Sequence, residues 1–145
     1  MMTSGETTAV GGAALSRALL ERVLRVARRL ATSSDLNEVL AAIVDALRDT
    51  LSADRASVFQ YDAATHELFA TQAHGLSRSL RLPADKGIIG EAAKSRQIIN
   101  IADAYADPRF NRAVDDATGY RTRCLLTIPL IDYEGMLVGV AQVLN

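Results

Sequence analysis

A single cysteine, Cys124, excludes an internal disulfide in this chain of 145 residues. No Cys/His cluster has zinc spacing, and two histidines, His66 and His74, leave metal chemistry little to work with. A dominant charge is missing too. Sixteen Lys and Arg against 17 Asp and Glu leave a net −1, so no global field draws in nucleic acid or an anionic membrane. No apolar run reaches the ~18 residues of a membrane span. The opening stretch MMTSGETTAVGGAAL lacks a charged region followed by a long apolar core, so it does not read as a signal peptide, and a cytoplasmic protein is expected. Its Thr, Gly and Ala predict a disordered tail over residues 1–14. With no nucleophile–base pair, metal cluster or carboxylate dyad, the chain does not read as an enzyme.

What the chain does contain is an ordinary globular composition, 49% hydrophobic and 23% charged. One domain of this length buries about 68–70% of its unfolded surface, enough for an independent core. Leu15, Leu19, Val23, Val26 and Leu30 recur at helical spacing, and Leu20, Leu24, Ala27 and Ala31 form a second stripe beside them. One stripe can bury on the chain's own domain and the other on a partner helix. Arg17, Arg22, Arg25, Arg28 and Arg29 make the outer face basic, which suits either solvent or an acidic partner. Asp35 and Glu38 have capping-box spacing, opening a second helix with an apolar face from Leu36 to Leu51.

Strands follow. Arg55–Tyr61 alternates and carries Val58, Phe59 and Tyr61, and His66–His74 returns as its hairpin partner. Leu80–Leu82 before Pro83 is extended. Pro83–Glu91 is a turn into a helix through about Arg96, and Gln97–Ile101 is a short strand. The N–H groups at that helix start can hold an anion, although the lysine-bearing pattern of a triphosphate loop is absent. Asp107 as cap with Pro108 behind it predicts a helix start, ended by Gly119. Asp115 and Asp116 then fall near the C-terminal end, where carboxylates are disfavoured, so either the helix ends earlier or they have partners, with Arg112 and Arg121 within reach. Arg123–Ile131 and Gly135–Asn145 are the strongest strands. In the last, Val138, Val140, Gln142 and Leu144 share one face; Leu137, Gly139, Ala141 and Val143 share the other, toward the N-terminal helices. Gln142 on an apolar face needs a hydrogen-bond partner, from a ligand or from the protein.

SVFQYD (57–62), LPADKGIIGEAA (82–93), NIADAYADPRFNRAVDDATGYRTRCLLTIPL (100–130) and GVAQVLN (139–145), in that order, closely resemble GAF domains. The resemblance is to the cyclic-nucleotide-binding members of phosphodiesterases and bacterial adenylyl cyclases. It implies an α+β, PAS-related fold over residues 15–145: a central antiparallel sheet, N-terminal helices on one face and a lidded ligand pocket on the other. It further implies a non-catalytic sensor that needs no cofactor, binds cAMP or cGMP and controls an attached output domain. A homodimer through the N-terminal helices is expected, with no nucleic acid partner and no membrane span.

By the same resemblance, Ser57, Ile88, Ile89, Asp115, Thr118 and Thr122 match ligand-contacting positions. Backbone N–H groups at Ile88 and Ile89 suit a cyclic phosphate, and the hydroxyls suit base, ribose or phosphate. Their plain structural uses are a strand hydroxyl at Ser57, turn chemistry at Thr118 and an ion pair at Asp115. Ala73 and His74 stand where the cGMP-binding members have an aromatic and an acidic residue. Asn111 and Gln142 stand for a tyrosine and a glutamate. His74, Asn111 and Gln142 complete the candidate site. The family pattern runs on past Asn145 into a closing helix, so a domain cut before that helix, from a longer signalling protein, is expected. A ligand-free dimerisation module is the alternative. Cys124 is expected to be a small buried core residue rather than a redox or chromophore anchor.

Overall fold

The structure is a computed structural model, and it describes residues 17–32, 35–73 and 80–145. Two helices open it, α1 (Arg17–Thr32) and α2 (Leu36–Thr50). Asp35 caps α2, its carboxylate accepting from the Asn37 N–H at 2.9 Å and satisfying one of the helix's unpaired first-turn donors. Six strands follow: β1 (Arg55–Asp62), β2 (Glu67–Ala73), β3 (Arg81–Pro83), β4 (Ile99–Ile101), β5 (Leu125–Ile131) and β6 (Leu137–Leu144). They form one antiparallel sheet in the order β3-β2-β1-β6-β5-β4, so the first and last strands meet in the middle. Helix α3 (Gly87–Ser95) joins β3 to β4. A single 3-10 turn at Ala104–Ala106 and the short helix α4 (Ala113–Thr118) lie between β4 and β5.

The period-2 alternation of the central strands splits the core in two. On one face, Ala56, Val58 and Ala141 pack with Leu40 and Val44 of α2. On the other, Phe59, Leu68, Ala70 and Val140 pack with Ala84 and with Ala92 and Ala93 of α3. A third cluster sets Ile88 of α3 against Ile101, Ala104 and Leu125, with Phe110 and Leu144 beside them. Helix α1 lies against α2. Of its second stripe, Leu20, Leu24 and Ala27 stay in solvent, with Leu20 at 46% and Leu24 at 50% exposure, and Val23 of the first stripe is likewise half exposed.

Three expectations change. Leu137 does not join the α2 face; it packs with the Phe59 cluster on the opposite side. The register jumps from Leu130↔Gly139 to Ile131↔Leu137, so Val138 is the extra residue of a bulge and the alternation resets there. Asp107-Pro108 opens a tight turn rather than a helix: Asp107 accepts from the Arg109 N–H at 2.9 Å, and α4 starts only at Ala113. Local carboxylate-to-backbone bonding has won over helix initiation there. Cys124 is only half-buried and sits just ahead of β5 rather than inside a strand.

Candidate functional site

Arg55, Ser57 and Phe59 alternate onto one face of β1, and Gln142 and Leu144 onto the adjoining face of β6. This floor is paired in register, with Ser57 opposite Gln142 and Arg55 opposite Leu144. Helix α3 stands over it. Gly90 lets that helix start close to the preceding turn, since a Cβ there would come within 2.8 Å of the Asp85 carbonyl carbon. The Gly90 N–H bonds the Lys86 carbonyl, so the N–H groups of Gly87, Ile88 and Ile89 precede the first intrahelical bond; Lys86 supplies no side-chain cap. Helix α4 and the turn after it close the top. Between floor and cover lies a cavity of about 200 Å³.

Eight of the nine candidate residues, Ser57, Ile88, Ile89, Asn111, Asp115, Thr118, Thr122 and Gln142, line this cavity. The ninth, His74, lies outside the described residues. The polar members are not equally available. Asp115 is 6% exposed, and both its oxygens are engaged: Oδ1 accepts from the Thr122 hydroxyl at 2.8 Å, and Oδ2 from the Thr122 N–H at 2.7 Å and the Tyr105 hydroxyl at 2.8 Å. The carboxylate thus fastens α4 to the segment leading into β5.

The two arginines expected to pair with Asp115 do something else. Arg112 and Arg121 stack over the Tyr105 ring, at 4.6 and 4.3 Å from its centroid. Because α4 is so short, Asp115 falls in its first turn, where a carboxylate is favoured. The Tyr105 hydroxyl, donating to Asp115, has its pKa raised, chiefly through that bond.

Gln142 donates its amide to the Thr127 hydroxyl at 3.1 Å, so its partner comes from the protein. Thr118 donates to the Val114 carbonyl at 2.8 Å and accepts from the Tyr120 N–H at 3.3 Å, which finishes the helix end. Asn111 accepts from the Ala113 N–H at 3.0 Å, steering the chain into α4. Gly119 at φ 71° ends the helix in the left-handed region, as expected, returning its N–H to the Asp115 carbonyl.

Other lining residues went unnoticed in the sequence. Arg55 and Phe59 share the face of Ser57 by simple alternation, so the period of β1 carried the signal. Tyr120 follows the Gly119 cap; its hydroxyl donates to Asp54 at 2.9 Å, and Arg55 lies over its ring at 3.8 Å. Burial, then the Asp54 bond, pushes the Tyr120 pKa up to about 12. The apolar wall of Leu80, Leu82, Phe110 and Val114 has no local sequence signature. No group of metal-ligating side chains occurs among the described residues.

Residues 35–145 match the family described as GAF domain. The chain belongs to the GAF family. It is 31% identical over 140 residues to a cGMP-specific 3',5'-cyclic phosphodiesterase of Drosophila pseudoobscura pseudoobscura. That match takes in 86% of this chain but 13% of the phosphodiesterase, so this GAF chain corresponds to a small part of that relative. Among solved structures, the GAF domain of a phosphoenolpyruvate-protein phosphotransferase from Coxiella burnetii superposes with a TM-score of 0.79 at 26% identity, covering 87% of this chain and 76% of that one. The free methionine-R-sulfoxide reductase of Neisseria meningitidis, solved with its substrate, shares the fold at TM-score 0.74 and 20% identity, over 88% and 74% of the two chains. The α+β architecture is that of the family, and among the described residues no helix is long and apolar enough to cross a membrane.

Proposed function

We propose that this GAF domain is a non-catalytic sensor whose cavity takes a cyclic nucleotide, cAMP or cGMP, and that its occupancy controls an attached output domain. GAF domains are in general regulatory sensor domains. The observation that carries the finer reading is the convergence of eight candidate residues on one cavity. In this reading the α3 N–H groups at Ile88 and Ile89 receive the cyclic phosphate. Ser57, Thr122 and Gln142 offer hydroxyl and amide groups to ribose and base, and Asn111 and Thr118 lie at the rim. Asp115 holds the cover in place rather than reading the base, since its oxygens already have three donors. His74 enters this reading through the resemblance alone, since it lies outside the described residues. The similarity to a cGMP-specific phosphodiesterase supports a nucleotide. No cofactor is required for this role.

A cavity of about 200 Å³ is below the roughly 300–1,000 Å³ usual for small-molecule sites. A nucleotide therefore enters by easing α4 outward, and the Asp115 latch sets the cost of that opening. Titration calorimetry of the domain with cAMP and cGMP tests the reading; no heat at high micromolar concentrations of both overturns it.

The exposed stripe of Leu20, Val23 and Leu24 on α1 favours a second function beside sensing, homodimerisation through the N-terminal helices. A ligand-free dimerisation module would keep that stripe and lose the titration signal. Sedimentation equilibrium separates the cases, and a mass that stays monomeric across concentrations counts against any dimer.

A further inference from the structure

The charged residues that line the cavity, among those described, are Arg55, Lys86 and Asp115. Asp115 is saturated by Thr122 and Tyr105, and Lys86 is exposed at the rim. Arg55 is different. It is half-buried at the start of β1, on the same face as Ser57, and within the described residues its guanidinium has no carboxylate at ion-pair distance. Its contact is the flat face of Tyr120, 3.8 Å from the ring centroid.

The ring is itself fixed, because the Tyr120 hydroxyl is held by Asp54 at 2.9 Å. That bond also occupies an oxygen of the nearest carboxylate in sequence. A guanidinium stacked on an aromatic ring keeps its N–H donors in its own plane, unobstructed and preset for a paired acceptor. Among the described residues no carboxylate pairs with this half-buried cation, and an anionic group on a ligand would complete it.

We infer that Arg55, pre-oriented on Tyr120, is the ligand-reading cation of this cavity and selects ligands bearing an anionic group such as a phosphate. The inference rests on the sensor reading and adds a specificity determinant to it. The α3 N–H groups and Arg55 both line the cavity, one offering backbone dipoles and the other a full positive charge.

The test compares wild type, Arg55→Met and Arg55→Lys by titration with cAMP, cGMP, adenosine and guanosine, with thermal melts confirming the fold of each variant. Wild type should prefer a cyclic nucleotide to its nucleoside by at least about tenfold. Arg55→Met should lose about 10–100-fold for the cyclic nucleotide and less than about threefold for the nucleoside. Arg55→Lys keeps the charge and should recover part of the loss, and added salt should weaken wild type more than Arg55→Met. Equal losses for nucleotide and nucleoside, or none, would overturn the role of Arg55 while leaving the sensor intact. Wild type that binds neither cAMP nor cGMP would overturn the sensor reading and this inference together.

Discussion

Thr122 donates twice to Asp115, from its backbone N–H to Oδ2 at 2.7 Å and from its hydroxyl to Oδ1 at 2.8 Å. Both residues are buried, so the pair is an internal fastening between α4 and the chain entering β5. Asp115→Ala leaves the two Thr122 donors and the Tyr105 hydroxyl without their acceptor. Denaturant titration should show a loss of about 1–3 kcal/mol, the usual cost of stranded buried donors. Thr122→Val removes only the hydroxyl and should cost less, and the double variant should cost less than the sum. Full additivity would mean that the two residues do not act as a unit.

Gly139 faces Gln60 across the β1–β6 ladder, and a Cβ on it would come 2.2 Å from the Phe59 carbonyl oxygen. The obstacle is backbone in mid-sheet, which cannot swing away as a side-chain tip would. Gly139→Ala should therefore destabilise the domain by about 1–3 kcal/mol. A thermal melt unchanged from wild type would show that the central strands have more slack than this contact allows.

Asp107 is gripped by Arg109 through Nε and Nη2, at 3.0 and 2.8 Å, and by the Arg109 N–H. The Arg109 bonds hold its pKa down at about 2. A carboxylate depressed in the folded state contributes stability that is present above its unfolded pKa of about 3.9. That contribution drains away as pH falls from there through about 2. Asp107→Asn should lower stability at neutral pH and flatten the acid limb in this window, the two profiles converging as pH falls through about 2. An acid limb identical to wild type would remove Asp107 as a contributor.

Asn145 accepts from the N–H groups of Arg123 and Cys124, at 2.7 and 3.3 Å, and donates to the Arg121 carbonyl at 3.1 Å. One side chain thereby does the work of a strand for Arg121, Arg123 and Cys124, just ahead of β5. Asn145→Ala should speed amide exchange at Arg123 and Cys124 selectively, with β1 and β2 unaffected. Uniform acceleration across the sheet would point to global destabilisation instead.

The helix and strand order was legible because α2, β1 and β6 carry clean periods of 3.6 and 2, set by which face meets the core. The cavity floor was legible for the same reason at Gln142, and at Ser57 through the family resemblance. The cover was less so. Asp107-Pro108 has the residue types of a helix start, yet an Asx turn uses the same carboxylate on the same kind of N–H, and sequence does not separate the two. The bulge at Val138 is invisible in an alternating apolar run, because every residue of that run fits either face. Arg112 and Arg121 were matched to Asp115 by charge, whereas the structure gives Asp115 three neutral donors and gives the arginines an aromatic face. Charge counting along a chain misses that exchange.

The sheet order has a kinetic consequence. β1 completes its pairing only when β6 arrives, and Arg55 meets Leu144 across a separation of nearly ninety residues. The β1–β2 hairpin can form early, but the central ladder must wait for a long loop to close, whose entropy is lost before its contacts are gained. Phe59 and Val140, which lie side by side in that ladder, are buried in the same step. The cavity floor therefore has no half-made version: Ser57 and Gln142 come together when the domain folds, and not before.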